Sequence, residues 1–240
     1  MPLRASYDAD GFTVAGTVPD TLRRNLHAAI DAIAAAAPHL PAVSRALLTF
    51  ERDLPDRKRG GVPAATAGDA IFLIGDPFHF APIFAVAFAH EAVVEPVRTV
   101  LGTSDIVHHF GNVTTKSARC GSGISWHRDA ANTYMPTESG RFVRAMICLD
   151  GMDAGNGGTS FRPGTHRDPA PDQVAEVVPV CPPGAVVLIH PRVLHGGPPN
   201  HSDRRRRNIV VQWGRRDDPL RGDNRETLTG LSPEEMRTRG

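Results

Sequence analysis

The stretch Arg141-Phe-Val-Arg-Ala-Met-Ile-Cys-Leu149, followed at once by Asp150-Gly-Met-Asp-Ala-Gly-Asn-Gly-Gly158, decides the fold. An apolar run of strand length breaks into a cluster of glycine, asparagine and aspartate, the residues that turn a chain. The same alternation extends in both directions. Apolar runs recur at 106–113, 176–180, 185–189 and 208–213, with Arg162-Pro-Gly164 and Cys181-Pro-Pro-Gly184 as further turns. This pattern predicts an antiparallel all-β sandwich or barrel over residues 105–214.

Upstream the period changes. Leu22, Leu26, Ile30 and Ile33 recur at helical spacing, with Asp20 as the expected N-cap of a helix over 21–37 and Pro38 as its stop. A second helical stretch covers 81–101, with a break near His90 and Gly102 as C-cap. Residues 53–68 are charged, then rich in glycine and proline, and read as a surface loop or as a lid over an active site. The apolar run 70–74 is of undetermined type. Residues 1–104 are thus expected to form a mostly helical region packed on the β core. Residues 215–240 form a polar tail, lying on the surface or fraying, with one short helix at 232–237 and a capping box Ser232-x-x-Glu235. One functional domain is expected.

With a formal net charge of +1, the chain is not a general polyanion binder. The run Arg204–Arg207 lacks the interleaved aromatics of a nucleic-acid surface. Three cysteines without Cys-x-x-Cys spacing give neither a disulfide framework nor a zinc knuckle. No run of 18 apolar residues occurs, and Met1-Pro-Leu-Arg-Ala-Ser-Tyr-Asp8 has no signal-peptide core. These features set the expectation of a cytoplasmic protein with a small-molecule partner and neither nucleic acid nor membrane.

His-x-Asp occurs three times, at His127-Arg-Asp129, His166-Arg-Asp168 and His201-Ser-Asp203, where chance alone gives about one match. The second lies between Pro163-Gly164 and Pro169-Ala-Pro171 and the third in a polar stretch, so both read as turns. Only the first precedes a long β-rich segment able to return a distant histidine, His195, to the same place. On an extended strand His127 and Asp129 point to one side. Two imidazoles and a carboxylate leave iron(II) three open positions, enough for a chelating 2-oxo acid and dioxygen. A guanidinium beyond them, Arg206, can pair the distal carboxylate of such an acid. His190 competes with His195, and the other arginines of 204–207 compete with Arg206.

Trp126-His-Arg-Asp129, Leu149-Asp-Gly-Met-Asp-Ala-Gly-Asn-Gly-Gly158, Pro163-Gly-Thr-His166 and Gly184-Ala-Val-Val-Leu-Ile-His-Pro-Arg-Val-Leu-His-Gly-Gly-Pro-Pro-Asn200 follow in order, with Arg206 after them. Together they resemble the phytanoyl-CoA dioxygenase superfamily of iron(II)/2-oxoglutarate oxygenases, over roughly residues 105–214. The resemblance implies a double-stranded β-helix, a jelly-roll barrel of cupin type flanked by helices. It implies His127, Asp129 and His195 as catalytic metal ligands and Arg206 as the residue that grips 2-oxoglutarate. Family halogenases carry a small residue in place of the carboxylate, so Asp129 implies hydroxylation or a desaturating or ring-forming variant of it.

Other positions stay open. Asn112 and Thr114 share a strand face, as donors to 2-oxoglutarate or as plain lining. Arg141 and Arg144 either meet an anionic substrate or lie on the surface, and Trp213 is core or pocket wall. His166 is expected to fix its turn, and at most one of His108 and His109 faces inward. The expected substrate is a small polar metabolite or natural-product intermediate, amino-acid-like or similar, with iron(II), 2-oxoglutarate and dioxygen as cofactors. The rivals are a β-barrel binding protein or isomerase on the same scaffold, and a zinc hydrolase using the same ligands, which leaves Arg206 without a role.

Overall fold

The computed structural model describes residues 3–131, 134–167, 173–222 and 225–239. Within them the β-prone runs become β1 (Phe12–Thr17), β2 (Leu48–Phe50), β3 (Ile71–Gly75), β4 (Ile106–Lys116), β5 (Ile124–His127), β6 (Phe142–Cys148), β7 (Ser160–Arg162), β8 (Ala185–Ile189), β9 (Leu194–Gly197) and β10 (Arg206–Arg215). A seven-stranded sheet has the order β1-β8-β6-β10-β4-β3-β2, and a three-stranded sheet the order β5-β9-β7. Neighbouring strands are antiparallel throughout. The two sheets enclose a cavity between them, the antiparallel arrangement the sequence pattern predicts and the jelly roll that the family resemblance implies.

The larger sheet is buried on both faces because each face has its own work. Along β10, Ile209, Val211 and Trp213 join a core with the helices behind the sheet, whereas Arg206, Asn208 and Val210 line the cavity. Helix Asp20–Ala36 supplies Leu22, Leu26, Ile30 and Ile33 to that core, and helices Ile83–Phe88 and Glu91–Leu101 supply Phe84, Phe88, Val93 and Val97. Each such burial contributes roughly 1.5–3 kcal/mol. A smaller apolar cluster on the cavity side, including Met146, Cys148, Phe161 and Val187, closes the space between the sheets.

The helical breaks fall where expected at His90 and Gly102. His90 N-caps the second helix by accepting from Ala92 N at 3.1 Å, and Gly102 ends it with φ 66°. Asp20 is not the cap of its helix. Pro19 occupies that place, and Asp20 lies in the first turn, where it pairs with Arg23 at 3.1 Å and suits the helix dipole.

Other expectations shift. The first hundred residues also supply β1, β2 and β3 to the larger sheet, although their short runs carry little periodicity. The run 176–180 forms no strand; it meets β7 only through a bridge between Val177 and Phe161. The runs at 106–113 and 208–213 extend to Lys116 and to Arg206–Arg215, because ladder pairing between β4 and β10 carries polar residues along. Segment 53–68 holds two one-turn helices, Asp56–Arg59 and Ala64–Ala67, and Lys58 lines the cavity while its carbonyl accepts from Gly123 N at 2.7 Å. Among the described residues of the tail, Leu228 and Met236 are buried, and the Ser232–Glu235 capping box forms. The turn at Pro169-Ala-Pro171 and Asp168 lie outside the described residues. No helix among the described residues is long and apolar enough to cross a membrane.

Candidate metal centre and cavity

His127, Asp129 and His195 converge, and their ligand atoms all lie within 4.8 Å of one another. His127 ends β5 and stands opposite His195 in the register with β9, with ring centroids 4.3 Å apart. Asp129 is not on that strand. β5 stops at His127, and Asp129 opens a 3-10 turn over Asp129–Ala131, so the turn rather than strand alternation aims the carboxylate at the imidazoles. Oδ1 of Asp129 lies 3.4 Å from Nε2 of His127 and 3.8 Å from Nε2 of His195.

Both imidazoles are oriented by their other nitrogen. Nδ1 of His127 faces Ser125 O at 2.8 Å, and Nδ1 of His195 faces Val193 O at 3.1 Å. With Nδ1–H donating to a carbonyl, each ring turns an Nε2 lone pair toward Asp129. Burial pulls His195 down to about 4, so it stays neutral and able to ligate. Burial works to raise Asp129, but Arg144 and the two imidazoles outweigh it and hold the carboxyl below its ordinary 3.8. Both Asp129 oxygens are buried, and Arg144 Nη1 lies 2.5 Å from Oδ1. A buried carboxylate facing two imidazole lone pairs fits a divalent metal.

The cavity beside this triad has a volume of about 580 Å³, within the usual span of small-molecule sites. Its floor is laid out in rungs across β6, β10 and β4. Arg144, Gln212 and Phe110 share one rung, Met146, Val210 and Asn112 the next, and Cys148, Asn208 and Thr114 the third. Arg206 and Lys116 make the last. Asn112, Thr114, Arg144 and Arg206 line the cavity; Asn112 Oδ1 is buried without a partner.

Of the four consecutive arginines, three are neutralised. Arg204 pairs with Asp153, Arg205 with Asp31, and Arg207 with both Asp150 and Asp31. Arg206 is 2 % exposed and meets only neutral atoms: Nη1 lies 3.4 Å from Thr159 Oγ1 and from Met152 Sδ, and Nε has no partner. Oriented to satisfy both ends of its amide, Asn208 accepts from Arg206 Nη1 at 2.8 Å. Burial lowers Arg206 to about 10, which leaves it cationic at neutral pH. A buried guanidinium without a counter-anion is costly unless an anion arrives.

Arg144 is nearly buried in the wall, with Nη1 2.5 Å from Asp129 Oδ1 and its guanidinium over the Phe110 ring. Trp213 does not line the cavity. It is fully buried on the helix side of β10, edge-on to His108, so its expected alternative as pocket wall is set aside. Arg141 pairs with Asp217 at the surface. His190 accepts from Arg192 N, and His166 reaches Asp8 O at 3.2 Å, which ties the first helix to the Pro163-Gly164 turn. His108 faces the helices, and His109 bonds Gln212 at 3.0 Å. His201 is exposed, and Asp203 pairs with Arg119. Sequence reasoning missed Thr159, Lys116, Tyr134 and Glu226, all outside any motif. Lys116, buried beside Arg206, has its Nζ between Gly157 O at 2.8 Å and Pro198 O at 2.5 Å, and burial together with that guanidinium pulls it down to about 6.

A family model described as phytanoyl-CoA dioxygenase (PhyH) matches residues 7–208. Among curated proteins, a probable alpha-ketoglutarate-dependent hypophosphite dioxygenase of Stutzerimonas stutzeri is 29 % identical over 150 residues, 53 % of this chain and 51 % of that protein. The match spans about half the length of that relative. Among solved structures, EctD from S. alaskensis with bound Fe superposes with a TM-score of 0.74 at 20 % identity, covering 99 % of this chain and 83 % of that one. The non-heme alpha ketoglutarate dependent epimerase SnoN from nogalamycin biosynthesis gives 0.70 at 16 % identity, over 92 % and 84 %. At these identities the structural likeness bears on the fold.

Proposed function

The chain belongs to the phytanoyl-CoA dioxygenase family, and from that premise we propose that it is an iron(II)- and 2-oxoglutarate-dependent dioxygenase that hydroxylates a small polar metabolite or natural-product intermediate. The observation that carries this reading is the pairing of one metal-ready triad with one uncompensated buried cation, Arg206, on the same cavity.

His127, Asp129 and His195 would hold the metal on one face and leave the cavity side open. When bound, iron(II) and 2-oxoglutarate supply the oxidising power, with decarboxylation to succinate and carbon dioxide as dioxygen is spent on a substrate C–H bond. Arg206 would take the distal carboxylate of the co-substrate, assisted by the Thr159 hydroxyl, and so end its isolation. Asn112 and Thr114 lie between Arg206 and the triad and would donate along the co-substrate's length. Arg144 stands at the other side of the triad, where substrate enters. Phe72, Leu73, Met146 and Val210 give the cavity an apolar wall that suits a carbon skeleton and keeps water from the reacting centre. Residues 105–214 would be the catalytic core, with 1–104 and 215–240 completing one functional domain.

The test is succinate formation from 2-oxoglutarate by purified protein with iron(II) and a library of small metabolites. Turnover should require iron and disappear in Asp129→Ala and His195→Ala. Undiminished succinate in either variant would sink the assignment.

A further inference from the structure

The tail completes the cavity. β3 pairs with β4 only from Asn112 to Thr114, so the β4 backbone from His108 to Gly111 lacks a partner on that edge. Residues 226–231 take its place. Leu231 O accepts from His108 N, Gly230 N donates to His108 O, and Thr229 Oγ1 donates to His109 O, over 2.7–2.9 Å. The last position is taken by a side chain: Glu226 Oε2 accepts from Gly111 N at 2.8 Å. Thr227 is tied to Asp76, and Leu228 is buried in the main core, so the chain that follows Glu226 is anchored.

Glu226 lines the cavity. Its other oxygen accepts from Tyr134 OH at 2.9 Å, and among the described residues no lysine, arginine or histidine pairs with it. A chain of contacts leads from the metal triad to it: Asp129 to Arg144, Arg144 over Phe110, Phe110 edge-on to Tyr134, and Tyr134 to Glu226. Gly111 and Lys116 are five residues apart on β4, about 17 Å. The cavity therefore carries an uncompensated cation, Arg206, toward one end and an uncompensated carboxylate toward the other. The first suits the co-substrate; the second is left for the substrate.

We propose that Glu226, oriented by Tyr134 and Gly111, is the specificity-determining carboxylate of this cavity and selects substrates that carry a protonated amine. The inference rests on the oxygenase reading and narrows its substrate class. Burial without a counter-cation pushes Glu226 up to about 7, helped by nearby Asp76, so a bound ammonium would hold it in its charged form. The rings of Phe110 and Tyr134 give the same ammonium a favourable lining.

The experiment uses the full chain loaded with iron(II) and 2-oxoglutarate under argon. L-lysine, L-ornithine, cadaverine and histamine are each titrated beside their N-acetyl derivatives, with binding read by calorimetry. At least one amine should bind about tenfold more tightly than its acetylated partner, the size of a charge-assisted contact. Glu226→Gln should erase that preference while the visible band of the iron–2-oxoglutarate complex stays intact, and Tyr134→Phe should weaken it in part. No preference for any free amine, or a preference that survives in Glu226→Gln, overturns the proposal. A missing band in the unaltered protein overturns the oxygenase reading instead, so the two failures are distinguishable.

Discussion

Arg144 Nη1 lies 2.5 Å from Oδ1 of Asp129, the same oxygen that faces Nε2 of both His127 and His195. A guanidinium and the centre of the triad thus share one fully buried carboxylate oxygen. Without metal, Arg144 is the cation that makes burial of Asp129 tolerable.

Arg144→Met should therefore destabilise the metal-free protein by about 3–5 kcal/mol, the penalty for leaving one member of a buried pair alone. With iron(II) present the metal supplies the positive charge, and the loss should fall to less than half. Urea unfolding with and without metal reads both values. Equal losses would mean that Asp129 does not face the metal.

Arg206→Met should act in the opposite sense. It removes a buried charge that has no protein counter-anion, so the metal-free protein should be as stable as before or more so. The apparent Michaelis constant for 2-oxoglutarate should nonetheless rise about tenfold to a hundredfold, as expected for a lost charge-assisted contact. A constant that does not move would assign the co-substrate to another residue.

Burial pulls His108 from 6.5 down to about 3, so it is neutral in the fold at neutral pH. The unfolded chain takes up this proton first. Its contribution is thus complete above pH 6.5 and is lost as pH falls from there toward 3, at about 1.4 kcal/mol per pH unit. His108→Phe keeps a ring between Phe88 and Trp213 and should flatten the stability profile in that window by up to one proton. An unchanged slope in the pH series of urea midpoints would contradict this.

Gly214 on β10 lies under the His109 ring, and a Cβ there would run into the ring. Gly214→Ala must displace His109 and its bond to Gln212, and should cost about 1–3 kcal/mol. A thermal melt within a degree of the parent would show that the ring moves freely.

The β core and the triad were legible because their signals are local. Strand runs at 106–113 and 185–189 stand between turn residues, and His127 and Asp129 are two positions apart, although a turn and not strand alternation brings the carboxylate to the imidazoles. What singles out Arg206 was less accessible: its neighbours are neutralised by Asp31, Asp150 and Asp153, residues far away in sequence. Strand alternation puts Arg204 and Arg206 on one side without saying which is buried. Glu226 was invisible, since the tail has no periodicity and meets the cavity only because β3 ends early. Trp213 was ambiguous for a related reason, as both faces of the larger sheet are buried and an apolar residue fits either.

The most direct test is anaerobic titration of iron(II) and then 2-oxoglutarate into metal-free protein, followed by visible absorption. A weak charge-transfer band should appear only when both are present, saturate at one equivalent of iron, vanish in His195→Ala, and need far more 2-oxoglutarate in Arg206→Met. Iron that binds without producing a band at any 2-oxoglutarate concentration would contradict the assignment of this cavity as an oxygenase site.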